Sequence, residues 1–364
     1  MAKERYIGIM SGTSLDGIDI VLCAIDAKGI VCEASESYAL DNNIKGATLN
    51  LIGNPCIRIE QVGELDYQIA EAYAMAVNHF LARQGLSASD IRAIGSHGQT
   101  VWHQPNGNYP FTMQLGNPSL LAAQTGIDVV ADFRAKDMAY GGQGAPFAPV
   151  FHRELFGHIQ GCAVVNIGGM ANLTVFEPQL IGYDIGCGNV LMDLWINECQ
   201  GKAFDQDGQW ARSGTVNQGL LTQLLADPYF KLKYPKSTGR EYFNKKFLRK
   251  YLEPLDTIAD EEVQATLLAL TACSIANEIK KFTIQELLLC GGGAKNGYLV
   301  EQLQKLLPNV TIKQTACYGI NGDDLEAMIF AWLAFKRLRR ETIALKTVTG
   351  AKKNTILGGI YAAS

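Results

Sequence analysis

The chain carries one design twice. In YIGIMSGTSLDGIDIVLCAID, residues Tyr6 to Asp26, a polar, glycine-containing loop joins two apolar runs, and CAVVNIGGMANLTVF, residues Cys162 to Phe176, repeats the arrangement. IDIVLCAID alternates with a period near two, and LTVF is short, β-branched and aromatic, so each loop is expected at the tip of a hairpin. A Walker A loop or a dinucleotide fingerprint requires a strand running into a helix, and neither pattern occurs in that context. For either loop alone an ordinary turn is an equally good reading, since glycine favours turns. The missing motifs argue against the commonest nucleotide folds, and the repetition points to two related halves.

Length agrees with two halves, because 364 residues exceed what one small core organises. With 48% hydrophobic and 19% charged residues the composition is globular. No apolar run spans a bilayer and MAKERYIGIM lacks a signal-peptide core, so a cytoplasmic protein without membrane partners is expected. The nine cysteines are odd in number and scattered, and they include no C-x-x-C pair, which suits reduced core thiols. A net charge of -4, with no basic block longer than KRLRR at 336–340, argues against nucleic acid. That block ends the apolar run MIFAWLAF, where cations offset a helix macrodipole.

Between the hairpins, GELDYQIAEAYAMAVNHFLARQG reads as an amphipathic helix and IRAIGSHGQTVWHQ as a strand entering a polar loop. A helix start is expected at Asn117-Pro118-Ser119, a strand at IDVVADF, and a lobe boundary near the Gly/Pro-rich connector 141–149. The domains expected are lobe I, 1–135 plus about 341–364, and lobe II, 136–340.

Two further junctions are informative. In GYDIGCGNVLMDLWINE, Asp184 precedes Gly186, Gly188 and a helix-like run, a place from which it can face a ligand or cap the helix. In ELLLCGGGAKNGYLVEQLQKLL an apolar strand meets Gly291, Gly292 and Gly293, and the following helix is apolar at 299, 300, 303, 306 and 307. Three glycines remove every side chain from the turn, leaving room for a flat ring against the backbone.

These motifs follow the order found in the actin, sugar-kinase and heat-shock-chaperone ATPase superfamily. More narrowly, MSGTSLDGID, SHGQTVWHQP, DFRAKDMAYGGQGAPFAP, NIGGMAN, YDIGCGN and CGGGAKN together resemble the anhydro-N-acetylmuramic acid kinases, from Ile7 to TGAKKNTILGGIY near the C-terminus. The resemblance implies an α/β protein of two ribonuclease-H-like lobes, each a mixed five-stranded sheet with flanking helices, closing over a cleft. It implies an enzyme of cell-wall recycling that converts 1,6-anhydro-N-acetylmuramic acid, ATP and water into N-acetylmuramic acid 6-phosphate and ADP. A homodimer is compatible with it.

By the same resemblance, Gly12, Thr13, Ser14, Leu15, Asp16, Gly17, Ile18 and Asp19 form a first ATP-phosphate loop. Gly168, Gly169 and Asn172 form a second, and Gly291, Gly292, Gly293 and Asn296 cradle the adenosine. Many relatives in the wider superfamily place a metal-organising aspartate where this chain has Met10. Mg²⁺ is expected with the nucleotide, but its protein ligands stay unassigned between Asp16, Asp19 and none. Asp184 is the expected catalytic base. The anhydro sugar has no free 6-hydroxyl, so water must open the bridge while O6 accepts the phosphoryl group. Sugar-binding candidates are His97, Gln99, Ser119, Arg134 and Glu326, with Arg134 suited to the lactyl carboxylate.

His97 and His103 have no third ligand at a zinc spacing. Met328, Phe330, Trp332 and Trp195 read as core. The rival functions are a kinase of this superfamily for another sugar or carboxylate and a non-enzymatic nucleotide switch.

Overall fold

A computed structural model describes residues 3–12, 15–54, 56–253 and 258–364. The described residues form twelve strands: β1 (Glu4–Ser11), β2 (Ile18–Asp26), β3 (Gly29–Tyr38), β4 (Ala93–Gln104), β5 (Phe111–Leu115), β6 (Val129–Ala131), β7 (Cys162–Ile167), β8 (Met170–Val175), β9 (Ile181–Cys187), β10 (Glu286–Cys290), β11 (Thr311–Gln314) and β12 (Gly359–Tyr361). They divide into two compact units, one of Met1–Leu155 with Asp324–Ser364 and one of Phe156–Asp323.

Both units repeat one strand order. In the second unit it is β9-β8-β7-β10-β11, with β7, β10 and β11 parallel and β8 antiparallel to both its neighbours. In the first it is β3-β2-β1-β4-β6, with the same directions. The sequence-expected hairpins are therefore the first two strands of each sheet. The first sheet departs from the expected five strands: β12 pairs with β6 and β5 with β4, making seven.

Local sequence explains these elements. β2 is buried on both faces, with the helices Ile59–Gln84 and Leu325–Leu338 packed against it, whereas β3 at the sheet edge alternates half-buried and exposed residues. The helix Ile59–Gln84 ends on Gly85 at φ 66°, a left-handed cap that glycine adopts without strain. Asn117 caps the helix Pro118–Thr125 as expected, its side chain accepting from the N–H groups of Ser119 and Leu120.

The helix Leu325–Leu338 lies directly on the first sheet. A Cβ at Gly8 would stand 2.0 Å from Ala327 O, and one at Gly95 would stand 1.9 Å from Phe330 O. Glycine on β1 and β4 thus sets how closely this helix approaches, which buries Met328, Phe330 and Trp332 as expected. Each such side chain is worth about 1.5–3 kcal/mol of burial. The compact units divide the chain at other positions than the expected lobes. Residues 136–155 and 324–340 belong to the first unit, because the helices Ala148–Phe156 and Leu325–Leu338 join its core, where Phe151 meets Trp332.

Trp195 is half-buried against the second core, with its ring N–H donating to Asp260 O at 2.8 Å. All nine cysteines are free thiols, four of them buried.

Candidate active site

The first loop is braced from β4. Ser11 Oγ donates to Gln99 Oε1 at 2.7 Å and to Gly17 O at 3.1 Å, and Gln99 Nε2 donates to Gly12 O at 3.3 Å. Gln99 is buried with both ends of its amide committed, so it positions the loop and has little left for a sugar. Leu15 takes a left-handed φ of 58° and sinks its side chain into the core beside Ile18. Leu15 and Ile18 therefore offer a ligand only backbone. Gly17 passes so close to β3 that a Cβ would lie 2.8 Å from Tyr38 O. Thr13 and Ser14 lie outside the described residues.

Asp16 is exposed, 3.9 Å from Lys45 Nζ. Asp19 stands opposite Met10 in the β1–β2 register, which puts the two side chains on the same face of the sheet. A carboxylate thus occupies the neighbourhood of the missing one, displaced by one strand. Ser37 Oγ donates to it at 2.6 Å.

In the second unit the turn Gly168–Gly169 is tied to the start of the helix Val190–Gln200. Asn189 N donates to Gly168 O, and Gly188 N and Val190 N donate to Gly169 O, at 2.8, 2.8 and 3.1 Å. These helix-end donors are spent on the turn rather than left for an anion. Beside the turn runs a polar row across three strands, since Asn166 faces Asn172 on β8 and Asn172 faces Asp184 on β9. Cross-strand partners share a face, so the expected loop residue and the expected base are neighbours.

Asp184 lies within β9 and caps no helix. Its Oδ2 accepts from Ser237 Oγ at 3.0 Å and Thr238 N at 3.1 Å, while Oδ1 has no hydrogen bond among the described residues. Tyr229 OH donates to the Asp184 carbonyl at 2.8 Å. Burial raises its carboxyl above the ordinary range, Glu241 adds to this, and the Thr238 and Ser237 hydrogen bonds oppose it. One oxygen is anchored and the other is open, as a base needs. Thr238 Oγ1 is buried without a partner.

The glycine turn after β10 borders a pocket of about 380 Å³ that Asn189, Asp193, Phe204, Asp207, Gly292 and Asn296 help to line. Only part of the triple glycine serves that space. A Cβ at Gly291, which has φ 78°, would lie 2.3 Å from Asn166 Oδ1, and one at Gly293 would lie 2.3 Å from Ile167 Cγ2. Both are glycine because the turn packs onto β7, whereas at Gly292 the nearest atom, Asn189 Nδ2, is 3.6 Å away. Asn296 lines the pocket and caps the helix Gly297–Leu306, accepting from Leu299 N at 3.0 Å. Burial lifts the Asp193 carboxyl to about 6, with Arg240 opposing and Asp205 reinforcing.

In the first unit, Arg134 Nε and Nη2 donate to His97 Nε2 at 3.1 and 2.8 Å, and Nη1 donates to Gly144 O at 2.7 Å. The acceptor role of Nε2 places the imidazole proton on Nδ1, which is buried without a partner. Burial first and Arg134 second hold the His97 pKa at about 3, so the ring is neutral at physiological pH. Ser96 Oγ, also without a partner, and His97 help line a second pocket of about 220 Å³. Desolvation lowers Arg134 to about 10 against the pull of Glu326. Burial and then Asp19 raise the Glu326 carboxyl, while Arg134 lowers it, although solvent still reaches the side chain. His97, Arg134, Glu326 and Asp19 thus form one electrostatic group, and Ser119 sits exposed in the first turn of its helix.

His103 does not join a metal set; its Nδ1 lies 3.1 Å from Thr112 Oγ1. No group of three His, Cys, Asp or Glu among the described residues is arranged for a metal ion, and no helix there is long and apolar enough to cross a membrane. The residues that sequence reasoning missed are Asn166, Asp193, Ser237 and Thr238. Asn166 was legible as the strand partner of Asn172; the others sit in segments without a recognisable motif.

Two sheets of one strand order, each opening on a hairpin with a polar tip, and a glycine turn bordering a pocket define the duplicated α/β class shared by actin, the sugar kinases and the heat-shock-chaperone ATPases. Within it, the model of the anhydro-N-acetylmuramic acid kinase family matches residues 4–363, and the chain belongs to that family. A relative named anhydro-N-acetylmuramic acid kinase, from Sulfurovum sp. (strain NBC37-1), is 54% identical, with 99% of this chain and 100% of that one covered. Another of the same name, from Sulfurimonas denitrificans (strain ATCC 33889 / DSM 1251), is 48% identical over 99% of this chain and 100% of its own. A looser structural likeness, with TM-score 0.46 and 13% identity over 92% of this chain and 96% of the other, is to the activator of the 2-hydroxyisocaproyl-CoA dehydratase from Clostridium difficile with bound ADPNP.

Proposed function

We propose that the chain is an ATP-dependent cytoplasmic kinase that opens 1,6-anhydro-N-acetylmuramic acid with water and phosphorylates O6, giving N-acetylmuramic acid 6-phosphate and ADP in peptidoglycan recycling. Membership of the family over 4–363 carries the substrate, and Asp184, with one oxygen anchored and one open, carries the chemistry. The open Oδ1 holds a water and takes its proton as the water attacks C1. The C1–O6 bond breaks, its electron pair stays on O6, and O6 accepts the γ-phosphoryl group as the bond to ADP is cleaved. Thr238 Oγ1, which lacks a protein partner, is a second donor for that water or for a phosphate oxygen.

The nucleotide base and ribose lie in the pocket beside Gly292 and Asn296, with backbone of Gly169 toward the phosphates; Gly12 and Gly17 of the first loop are further backbone donors suited to phosphate. Asp19, opposite Met10 and close enough to Glu326 to raise its carboxyl, is the carboxylate that would face Mg²⁺. When bound, that ion neutralises phosphate charge. His97 donates from Nδ1 to the sugar, and Arg134 fixes that tautomer while reaching the lactyl carboxylate with its remaining N–H groups.

Turnover in ¹⁸O-water with the anhydro sugar tests the reading. Label at C1 of the sugar phosphate is expected. Phosphorylation without label would indicate a kinase for a sugar with a free hydroxyl, and no ATP consumption would favour a nucleotide switch.

A further inference from the structure

The segment 236–240 links Asp184 to the glycine turn of the second phosphate loop. Its root is Lys236, a buried ammonium that meets Glu278 Oε1 at 2.9 Å and donates to Ile185 O at 3.4 Å. Its backbone carbonyl accepts from Asp184 N at 3.2 Å, and the next two residues hold Asp184 Oδ2. Two positions further on, Arg240 stands beside the turn: a Cβ at Gly169 would lie 4.0 Å from both Nε and Nη2. Its side chain is exposed and makes no hydrogen bond or ion pair among the described residues. Asp193, which lines the nucleotide-side pocket, is near enough for Arg240 to lower its carboxyl. An uncommitted guanidinium beside a side-chain-free turn, at the edge of that pocket, is a built acceptor for an anion with several oxygens.

We propose that Arg240 is a further catalytic residue, which contacts the γ-phosphoryl group and stabilises it in transit. The inference rests on the reading of the chain as an ATP-dependent kinase. Phosphoryl transfer asks a protein mainly for positioning and charge, since negative charge spreads over three equatorial oxygens as one P–O bond forms and another breaks. Arg240 supplies charge and moves no proton; Asp184 moves the proton. Because one short segment carries both Asp184's hydrogen-bond donors and Arg240, the base and the phosphate grip share an anchor in the Lys236–Glu278 pair. The competing role for Arg240 is a surface cation that merely offsets Asp193.

The test compares Arg240→Ala and Arg240→Lys with the unaltered protein, measuring steady-state turnover and, by calorimetry, affinity for ADP alone and for ADP with aluminium fluoride, magnesium and sugar. An arginine acting on the phosphoryl group in transit is worth on the order of 10³-fold in kcat. Arg240→Ala is expected to approach that loss and to forfeit the extra affinity for ADP with aluminium fluoride, while affinity for ADP alone changes by about twofold. Arg240→Lys is expected to recover part of both. Arg240→Ala that keeps kcat within about twofold and retains the extra affinity overturns the proposal. The unaltered protein's labelled turnover in ¹⁸O-water judges the underlying reading separately, and its failure would remove both. The side chain is exposed, so misfolding does not confuse the comparison.

Discussion

At the scale of single residues, the site depends on which polar atoms are committed and which are left open. Asp184→Asn keeps the size of the side chain and its contacts with the segment 237–238, so nucleotide affinity should survive while turnover falls by about 10²-fold or more; calorimetry and an ADP-release assay separate the two. Ser237→Ala removes a hydrogen bond that favours the charged carboxylate, whose pKa burial already raises. A base works deprotonated, so the acid limb of the pH–rate profile should move to higher pH, and an unmoved limb would dissociate Asp184 from that limb. Arg134→Ala should weaken sugar binding far more than nucleotide binding. Because Arg134 dictates the His97 tautomer, its effect and that of His97→Ala should combine by less than their sum in a double-mutant cycle.

At the scale of elements, long-range ties hold the loops. Lys236 and Glu278 meet on the segment preceding Thr238 and on the helix Asp260–Ile279, and Tyr183 and Lys281 also donate to Glu278. Removing one member of a buried ion pair costs about 3–5 kcal/mol. Lys236→Met should fall at the low end, near 3 kcal/mol, because Glu278 keeps two other donors, and Lys236→Met with Glu278→Leu should regain much of the loss. Urea denaturation of the three variants checks this. A similar tie fixes DFRAKDMAYGGQGAPFAP: Asp137 accepts from Gly144 N at 2.8 Å and from Thr349 Oγ1 at 2.9 Å. That explains why a motif in mid-chain and TGAKKN near the C-terminus occur together.

At the scale of the molecule, the two units differ in how the chain builds them. The second is one continuous stretch, Phe156–Asp323, with its own core and the glycine-turn pocket, whereas the first needs two stretches. A fragment of 156–323 is therefore expected to fold and to bind ADP, as judged by circular dichroism and calorimetry. A fragment of 1–155 is expected to aggregate, because without the helix Leu325–Leu338 the sheet surface around Gly8 and Gly95 is uncovered. Recovery of a cooperative fold by 1–155 alone would show that this helix is dispensable.

The strand–loop–strand repeat, the glycine turn after ELLLC and the aspartate of YDIGC are local patterns, and local patterns set hairpins, turns and the order of motifs. On these the sequence alone determined the duplicated α/β class and the family. Tertiary contact decided the rest. The periodicity of LEAMIFAWLAF shows a buried helix but not which sheet it covers, so the unit boundary could not be read from it. Gln99 and Gly291 looked like ligand contacts and are largely spent on Ser11 and Asn166, partners 88 and 125 positions away. Asp19 became the carboxylate opposite Met10, and Arg240 the neighbour of Gly169, only when strand register and chain reversal brought them there. A hydrogen bond or a charge acts through space over a few ångströms, and spacing along the chain does not encode that distance once a loop intervenes.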